Sequence, residues 1–139
     1  MASDDTSPYF APVLKARQIL LTTFRKTGEG VATPVWFAER DGRLYLFTSA
    51  LAGKVKRLRH TPRVTLAPCT FNGTVTGPAL EAQVRFIADR GEARRASRAI
   101  RRKYWVLEPA LAAYEGAVRL FTRRPDTTIY LALEPPPQP

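Results

Sequence analysis

The sequence predicts one mainly β domain, in which antiparallel strands form a closed or partly closed barrel with helices at its periphery. Its 139 residues are enough for one core and too few for two ordinary domains. Short apolar or alternating runs recur along the chain and are separated by turns that contain Gly or Pro. Helical periodicity occurs only at isolated crossovers, which does not fit the regular strand and helix alternation of a parallel sheet.

The net charge of the chain indicates which classes of partner it favours. The formal net charge is +10 at pH 7. Such an excess favours acidic partners, among them phosphates, carboxylate-rich cofactors and nucleic acid, without choosing between them. Because the cations are spread along the chain, a disordered basic arm is not expected; most of them fall within residues 15–26, 54–63, 90–103 and 119–124.

Several classes of protein are excluded by what the sequence lacks. Cys69 is the one cysteine and His60 the one histidine, so neither an internal disulfide nor a zinc site of the usual ligand count is expected. The first residues carry acids rather than an apolar core, and no run approaches the ~20 apolar residues of a membrane span. We therefore expect a cytoplasmic protein without a metal or a membrane partner.

The N-terminal part of the chain predicts a helix followed by a strand. Residues 1–8 are expected to be a flexible lead, and Ser7-Pro8 is typical of the start of a short helix that continues to about Arg17. The apolar run that follows predicts a first strand over residues 18–24, which ends in a turn at residues 27–30.

The next stretch predicts two further strands in a meander. Residues 31–38 form the second strand, and the turn at residues 40–43 leads into the third over residues 44–48. Pro34 allows two interpretations, since proline is tolerated in a sheet at a bulge or on an edge strand. A bulge would leave a gap where a flat ligand can lie, whereas an edge-strand proline needs no ligand.

Residues 48–59 predict a strand end, a loop and the start of a basic helix. Thr48 and Ser49 supply hydroxyl groups, and Lys54 and Lys56 supply ammonium groups close to unpaired backbone N–H groups. These groups together suit a phosphate, because the N-terminus of a helix attracts anions. The alternative is that the Lys and Arg residues here form a solvated helix face.

The remaining elements complete a count of about seven strands and three helical segments. Pro62 ends the basic helix, and the alternation of residues 79–88 is the clearest strand pattern of the chain. No internal repeat or linker divides the domain, and the Pro-rich tail at 135–139 extends no element. The other segments are strands at 64–69, 117–122 and 127–133, a helix at 92–104 and a helical piece at 107–114.

Familiar catalytic and nucleotide-binding motifs are absent. There is no Walker-type loop, no Gly-x-Gly-x-x-Gly after a strand and no Gly-x-Ser-x-Gly elbow. His60 fits a capping or surface residue better than a base, and Cys69 fits a buried small side chain better than a nucleophile. The basic helix over residues 94–103 can contact nucleic-acid phosphates, but its aromatics fall at the helix end rather than on a sheet, which does not favour that class.

Six segments in this order resemble one family. They are Leu20–Lys26, Val31–Phe37, Gly42–Ser49, Gly53–Arg59, Pro62–Cys69 and Arg101–Tyr104. Together, over about residues 15–105, they resemble the pyridoxamine-5'-phosphate-oxidase-like split β-barrel proteins of the FMN-binding split-barrel type. Within that superfamily, the chain is similar to the branch of deazaflavin (coenzyme F-420)-dependent oxidoreductases.

The resemblance implies a homodimer of antiparallel split β-barrels with a flavin or deazaflavin cofactor in a groove at the interface. By position, the residues implied to hold the cofactor phosphate are Thr48, Ser49, Lys54 and Lys56. Those implied to line the ring system are Thr33, Pro34, Val35 and Trp36. The turn at residues 28–30 and the segment 105–114 depart from the family pattern, which leaves the substrate pocket open.

Three functions follow from the resemblance. The first is hydride transfer from reduced F-420 to a small unsaturated or quinone-like organic substrate, since F-420 carries an acidic oligoglutamate tail that suits a basic protein. The second is the same fold using FMN, as a pyridoxamine-phosphate-oxidase-like protein. The third is a flavin- or deazaflavin-binding protein without catalysis. In the first two, hydride chemistry belongs to the cofactor, and the protein supplies binding and orientation.

Overall fold

The computed structural model describes residues 9–70, 72–106 and 128–137. Within these ranges a 3-10 turn at Ala11–Val13 precedes seven strands and two α-helices. The strands are β1 Gln18–Phe24, β2 Gly30–Trp36, β3 Ala38–Arg40, β4 Arg43–Ser49, β5 Arg63–Cys69, β6 Leu80–Phe86 and β7 Thr128–Glu134; the helices are α1 Gly53–His60 and α2 Arg90–Val106. The flexible lead, the helical piece at 107–114 and the strand at 117–122 lie outside the described residues.

The strands form one antiparallel sheet whose two edges meet. Its order is β2-β1-β5-β6-β7-β4-β3. The edge strands β2 and β3 are consecutive in the chain and are separated only by Phe37, whose side chain is 0% exposed. Because one buried residue joins opposite edges, the sheet must curl around its core. This confirms the mainly β, antiparallel split-barrel fold with peripheral helices.

The predicted strand over residues 31–38 is confirmed as far as Trp36, but its last part and the meander built on it are wrong. The chain breaks at Phe37, and β2 and β4 are not hydrogen-bonded neighbours. At this crossing Phe37 packs in the main core, while Trp36 and Ala38 pack beside Ile100 of α2 on the other face. The alternation of side chains therefore continues through the break, and what changes at Phe37 is the hydrogen-bonded neighbour of the chain.

Pro34 lies on an edge strand without a bulge. The β1–β2 ladder keeps one register from Gln18 opposite Trp36 to Phe24 opposite Gly30, and Leu20 lies opposite Pro34. The edge position tolerates the missing backbone N–H. The edge-strand interpretation is therefore correct, and the gap expected from a bulge does not form.

The predicted N-terminal helix is also wrong, since its described part is only the 3-10 turn. Pro12 within that turn removes a backbone donor. Phe10 and Val13 nevertheless bury their side chains in the main core. That core fills the barrel interior with alternate residues of the strands, including Ile19, Leu21, Leu44, Leu46, Val64, Leu66, Ala82, Val84, Leu131 and Leu133.

Both helices are held by small apolar faces, as predicted. α1 buries Val55 and Leu58 and ends where Thr61, just before Pro62, turns to extended backbone with φ −145° and ψ 127°. α2 packs on β3, β4 and β7, with Ala96 and Ile100 fully buried. α2 is also tied to the barrel by Lys103, whose Nζ lies 3.3 Å from the Phe37 ring centroid.

Candidate functional site

Lys54 and Arg57 lie side by side on α1. With 3.6 residues per turn, they are about 60° apart around the helix, whereas Lys54 and Lys56 are about 160° apart. Burial agrees with this geometry, since Lys54 and Arg57 are half-buried and Lys56 is exposed. The predicted pair of lysines is thus not brought together, and an arginine that the sequence reasoning left out of the site lies beside Lys54.

Arg57 is held in place by a buried hydroxyl group. Its Nε donates a hydrogen bond of 2.6 Å to Thr23 Oγ1, and Thr23 lies on the inner side of β1 with 1% of its surface exposed. The guanidinium also lies next to Gly53, since a Cβ atom there would stand 3.1 Å from Arg57 Nη1. A side chain at position 53 would therefore press against the guanidinium.

The charge around Lys54 is uncompensated in the described part of the chain. Burial lowers the pKa of Lys54, and the positive charge of Arg57 lowers it further. The ion pairs found among the described residues include neither of these cations. Two neighbouring cations without a counter-charge favour an anion, which would raise the pKa of Lys54 again.

Thr48 and Ser49 end β4, just before the loop that leads into α1. Thr48 is 7% exposed, and its hydroxyl has no hydrogen-bond partner among the described residues. A buried hydroxyl without a partner costs about 1–3 kcal/mol, so it calls for an explanation. Ser49 Oγ accepts a 3.2 Å hydrogen bond from the N–H of Leu51, which leaves its own hydrogen available to a ligand.

The backbone that enters α1 adds further donors. The cap residue Ala52 provides no side-chain hydrogen bond, and its own N–H bonds the carbonyl oxygen of Ser49. Among the backbone hydrogen bonds of the described residues outside helices and strands, none is donated by the N–H of Gly53 or Lys54. The orphan donors expected at a helix start therefore lie in the same segment as the Lys54 ammonium group.

The four residues predicted to line a ring system alternate between the two faces of β2. Thr33 and Val35 face the inner side, where Val35 joins the main core, and Pro34 and Trp36 face the outer side. Trp36 is half-buried and packs beside Ile100 of α2. Their side chains therefore do not form one surface, and what these residues share is the outer edge of β2.

The other chemically reactive side chains lie in ordinary structural settings. His60 is exposed in the last turn of α1. Cys69 is buried on β5, where burial raises the pKa of its thiol, as expected of a packing residue rather than a nucleophile. The described residues hold no group of three or more metal-ligating side chains and no helix long and apolar enough to span a membrane.

A separate charged cluster fastens α2 to the sheet. Arg85 of β6 binds Glu92 through two hydrogen bonds of 2.8 and 2.7 Å, and Tyr45 of β4 donates to the same carboxylate at 3.0 Å. Arg85 and Arg43 also bond Glu134 of β7. The hydrogen bond from Arg85, helped by that from Tyr45, lowers the pKa of Glu92 to about 2. Every charge in this cluster is compensated, which marks it as structural.

Solved structures share this fold at low sequence identity. A candidate 5-nitroimidazole antibiotic resistance protein from Bacteroides thetaiotaomicron matches with a TM-score of 0.64 at 16% identity, covering 96% of this chain and 81% of its own. The haem storage protein of Vibrio cholerae gives 0.63 at 11% identity, with 89% and 84% covered. A FAD-binding protein from Mesorhizobium loti gives 0.60 at 17% identity, with 89% and 82% covered. No curated protein matches the sequence.

The family is shown by the sequence itself. The family model described as pyridoxamine 5'-phosphate oxidase matches residues 9–132, which is most of the chain. That range includes α1 and all of the curled sheet except the end of β7, so the match and the architecture describe the same unit. This chain belongs to the pyridoxamine 5'-phosphate oxidase family.

Proposed function

We propose that this protein is a cytoplasmic oxidoreductase that binds the deazaflavin coenzyme F-420 and reduces a small unsaturated or quinone-like organic substrate. The observation that carries the proposal is the pair of neighbouring cations on α1, Lys54 and Arg57, which have no described counter-charge. They follow closely on Thr48, a buried hydroxyl without a described partner.

The donors of this segment suit a cofactor phosphate. A phosphate offers several strong acceptor oxygens, and hydrogen bonds between charged groups are about twice as strong as neutral ones. Lys54 and Lys56 would supply charge, and Thr48 and Ser49 would supply hydroxyl donors. Binding there would satisfy the Thr48 hydroxyl and offset the burial and the repulsion from Arg57 that together lower the pKa of Lys54.

The ring system would lie at the edge of β2, along Thr33, Pro34, Val35 and Trp36. The barrel interior is filled with side chains, so a flat ligand has to lie outside the core. An edge strand offers unpaired backbone groups along one side, and these can bind a ring while the side chains alternate between faces. A second copy of the chain would cover the exposed side of such a ligand, in keeping with a homodimer.

The bound cofactor would supply the hydride, while the protein fixes its position and excludes water. We place no acid or base in the reaction, because His60 is exposed and the thiol of Cys69 is buried. The chain's part is to bind the cofactor at two points, by its phosphate at α1 and by its ring at the edge of β2. Two fixed points orient the reacting face towards the substrate.

F-420 is preferred to FMN on grounds of charge. Both carry a phosphate, but F-420 adds an acidic oligoglutamate tail, and the net charge of +10 attracts it further. FMN is the second candidate, because the related Mesorhizobium loti structure is a FAD-binding protein. A binding protein without catalysis is the third candidate, in view of the haem storage protein that shares the fold.

Titration of the purified protein with F-420 and with FMN, each followed by its absorbance and fluorescence, tests the proposal. Saturable binding of F-420 with weaker or absent FMN binding is expected. The reverse would replace the first candidate by the second, and binding of neither would leave the third. Turnover of quinones or activated alkenes with reduced F-420 then separates an enzyme from a carrier.

The phosphate assignment has its own test in the double substitution Lys54→Ala with Lys56→Ala. Loss of a charge-assisted hydrogen bond costs about 1.5–3 kcal/mol, so the Kd for F-420 should rise about 10- to 100-fold. Arg98→Ala, which removes an exposed charge from α2, is the matched control. An unchanged Kd in the double variant would exclude a phosphate at α1.

A further inference from the structure

The barrel interior contains a polar group that apolar packing does not explain. Apart from Tyr45, which packs beside α2, the buried polar side chains among the described residues are Thr23 and Thr48. Thr23 follows Ile19 and Leu21 on the inner face of β1, where a valine would fill a similar volume without a hydroxyl. Its hydroxyl oxygen accepts one hydrogen bond from the described residues, the 2.6 Å bond from Arg57 Nε.

The hydrogen bond between Arg57 Nε and Thr23 does not occupy the two terminal nitrogens of the guanidinium, Nη1 and Nη2. Guanidinium groups bind phosphate or carboxylate through parallel N–H donors in a fixed fork. Nε is taken by Thr23, whereas no hydrogen bond or ion pair of Nη1 or Nη2 to a described residue occurs. Arg57 is thus held by one nitrogen and retains two nitrogens for a ligand.

Gly53 keeps space for this arrangement. An ideal Cβ at position 53 would stand 3.1 Å from Nη1 and 3.9 Å from Cζ of Arg57. The 3.1 Å contact is tighter than an ordinary van der Waals contact, so the guanidinium would have to shift by a few tenths of an ångström, and the bond to Thr23 resists that shift. The absence of a side chain at Gly53 therefore lets Arg57 occupy the space next to Lys54.

We propose that Arg57, oriented by Thr23, is the second cation that binds the cofactor phosphate beside Lys54, and that Lys56 contributes only through its charge. This inference rests on the proposed function. An arginine whose geometry is fixed before binding loses less side-chain entropy on binding than an exposed lysine does. Lys56 lies about 160° around α1 from Lys54 and is exposed to solvent.

The experiment compares single variants of the full-length chain by their Kd for F-420, with the melting temperature recorded for each. Arg57→Ala is expected to raise Kd about 10- to 100-fold, as Lys54→Ala does, whereas Lys56→Ala should raise it less than about 3-fold. Arg57→Lys should recover only part of the loss, because one ammonium group cannot bond Thr23 and also present a fork to the ligand.

Thr23 tests the positioning role. Thr23→Val keeps the volume and removes the acceptor, and we expect Kd to rise about 3- to 10-fold. Thr23→Ser keeps the hydroxyl, so Kd should stay close to that of the unchanged protein. A purely structural role would lower the melting temperature of Thr23→Val without a change in Kd for the folded protein. Such a result would overturn the inference.

The outcomes separate this inference from the proposed function. If Lys54→Ala weakens binding but Arg57→Ala changes Kd less than 2-fold, the phosphate site stands and the role of Arg57 is wrong. If neither variant changes Kd, the phosphate site at α1 is wrong as well. Should Arg57→Ala fail to fold, Arg57→Lys and Thr23→Val still decide, because both retain a side chain of similar size.

Discussion

The two helices of the molecule are both basic and both amphipathic, yet they use their cations differently. On α1, two cations are half-buried and uncompensated, and one is held by the buried Thr23. On α2, the one acid, Glu92, is paired with Arg85, and the arginines face solvent. These exposed residues are Arg90, Arg94, Arg95, Arg98, Arg101 and Arg102.

If α1 binds the cofactor phosphate as proposed, the number of cations on a helix is not what identifies a binding site. An exposed arginine is hydrated and screened, so it contributes little to binding a single ion. A half-buried cation next to another cation pays for desolvation and repulsion in the free protein, and an anion relieves both. The half-buried cation of α2, Lys103, donates a 2.9 Å hydrogen bond to the carbonyl oxygen of Ala16 and lies over the Phe37 ring. What distinguishes α1 is that two half-buried cations, Lys54 and Arg57, lie next to each other without a described counter-charge.

The largest effects should come from the apolar anchors of the two helices. Leu58→Ala on α1 and Ile100→Ala on α2 each remove a buried side chain, and each should lower the free energy of unfolding by about 2–5 kcal/mol. Urea denaturation measures this loss. If the comparison is right, only Leu58→Ala should also raise the Kd for F-420, because it loosens the helix that carries Lys54 and Arg57.

Both variants have to be titrated under conditions where they are more than nine-tenths folded by circular dichroism. An equal rise of Kd in the two would mean that any loss of packing disturbs the site. The distinction between a binding helix and a structural helix would then fail.

A smaller effect is expected where α2 is fastened to the sheet. Glu92→Gln removes the negative charge that Arg85 and Tyr45 bind, and it should lower the free energy of unfolding by about 1–3 kcal/mol at pH 7. The Kd for F-420 should stay within 2-fold of that of the unchanged protein. Urea denaturation together with titration of the cofactor gives both numbers.

The same carboxylate predicts a dependence on pH. Its pKa is about 2 in the folded protein against 4.5 for an unperturbed group, so the unfolded chain binds more protons between these values. The stabilisation by Glu92 is therefore complete above about pH 4.5 and is lost as the pH falls towards 2. Glu92→Gln should flatten this part of the stability profile, and an unchanged acid slope would contradict the assignment.

Most elements of the fold could be predicted from local patterns in the sequence. The turn at Asp41-Gly42, where both residues have positive φ (54° and 79°), was predicted from its two residues alone. The alternation of β6 and the end of α1 before Pro62 were predicted in the same way. The step between sheet edges at Phe37 was not, because it depends on closure of the whole sheet. For the same reason, the neighbouring residues alone could not decide between the two interpretations of Pro34.

The candidate site likewise has a part that local sequence patterns predict and a part that they do not. Lys54 and Thr48 were predicted as site residues from the order of strand, loop and helix, which is a local signal. Arg57 was missed, although its spacing of three from Lys54 places the two on one side of a helix. What gives Arg57 its geometry is Thr23, which is 34 positions away in sequence. No local pattern relates the two residues.

The smallest effect is expected on the exposed face of α2. Arg98→Ala combined with Arg101→Ala should change the free energy of unfolding by less than about 0.5 kcal/mol, and should relieve some repulsion between neighbouring arginines. At 0.15 M salt the screening length is about 8 Å, so the Kd for F-420 should change less than 2-fold. At low salt, F-420 should associate more slowly with the double variant than with the unchanged protein, since the attraction to an acidic cofactor is long-range.

FMN is the matched ligand for this variant, because it has the phosphate but no acidic tail. If the double variant loses more than about 5-fold in affinity for F-420 at 0.15 M salt while FMN is unaffected, the arginines of α2 bind the tail, and the two helices share one ligand. If both ligands lose affinity equally, α2 acts through the general positive potential of the protein. An unchanged Kd for both ligands would leave α1 as the binding helix and α2 as a solvated one.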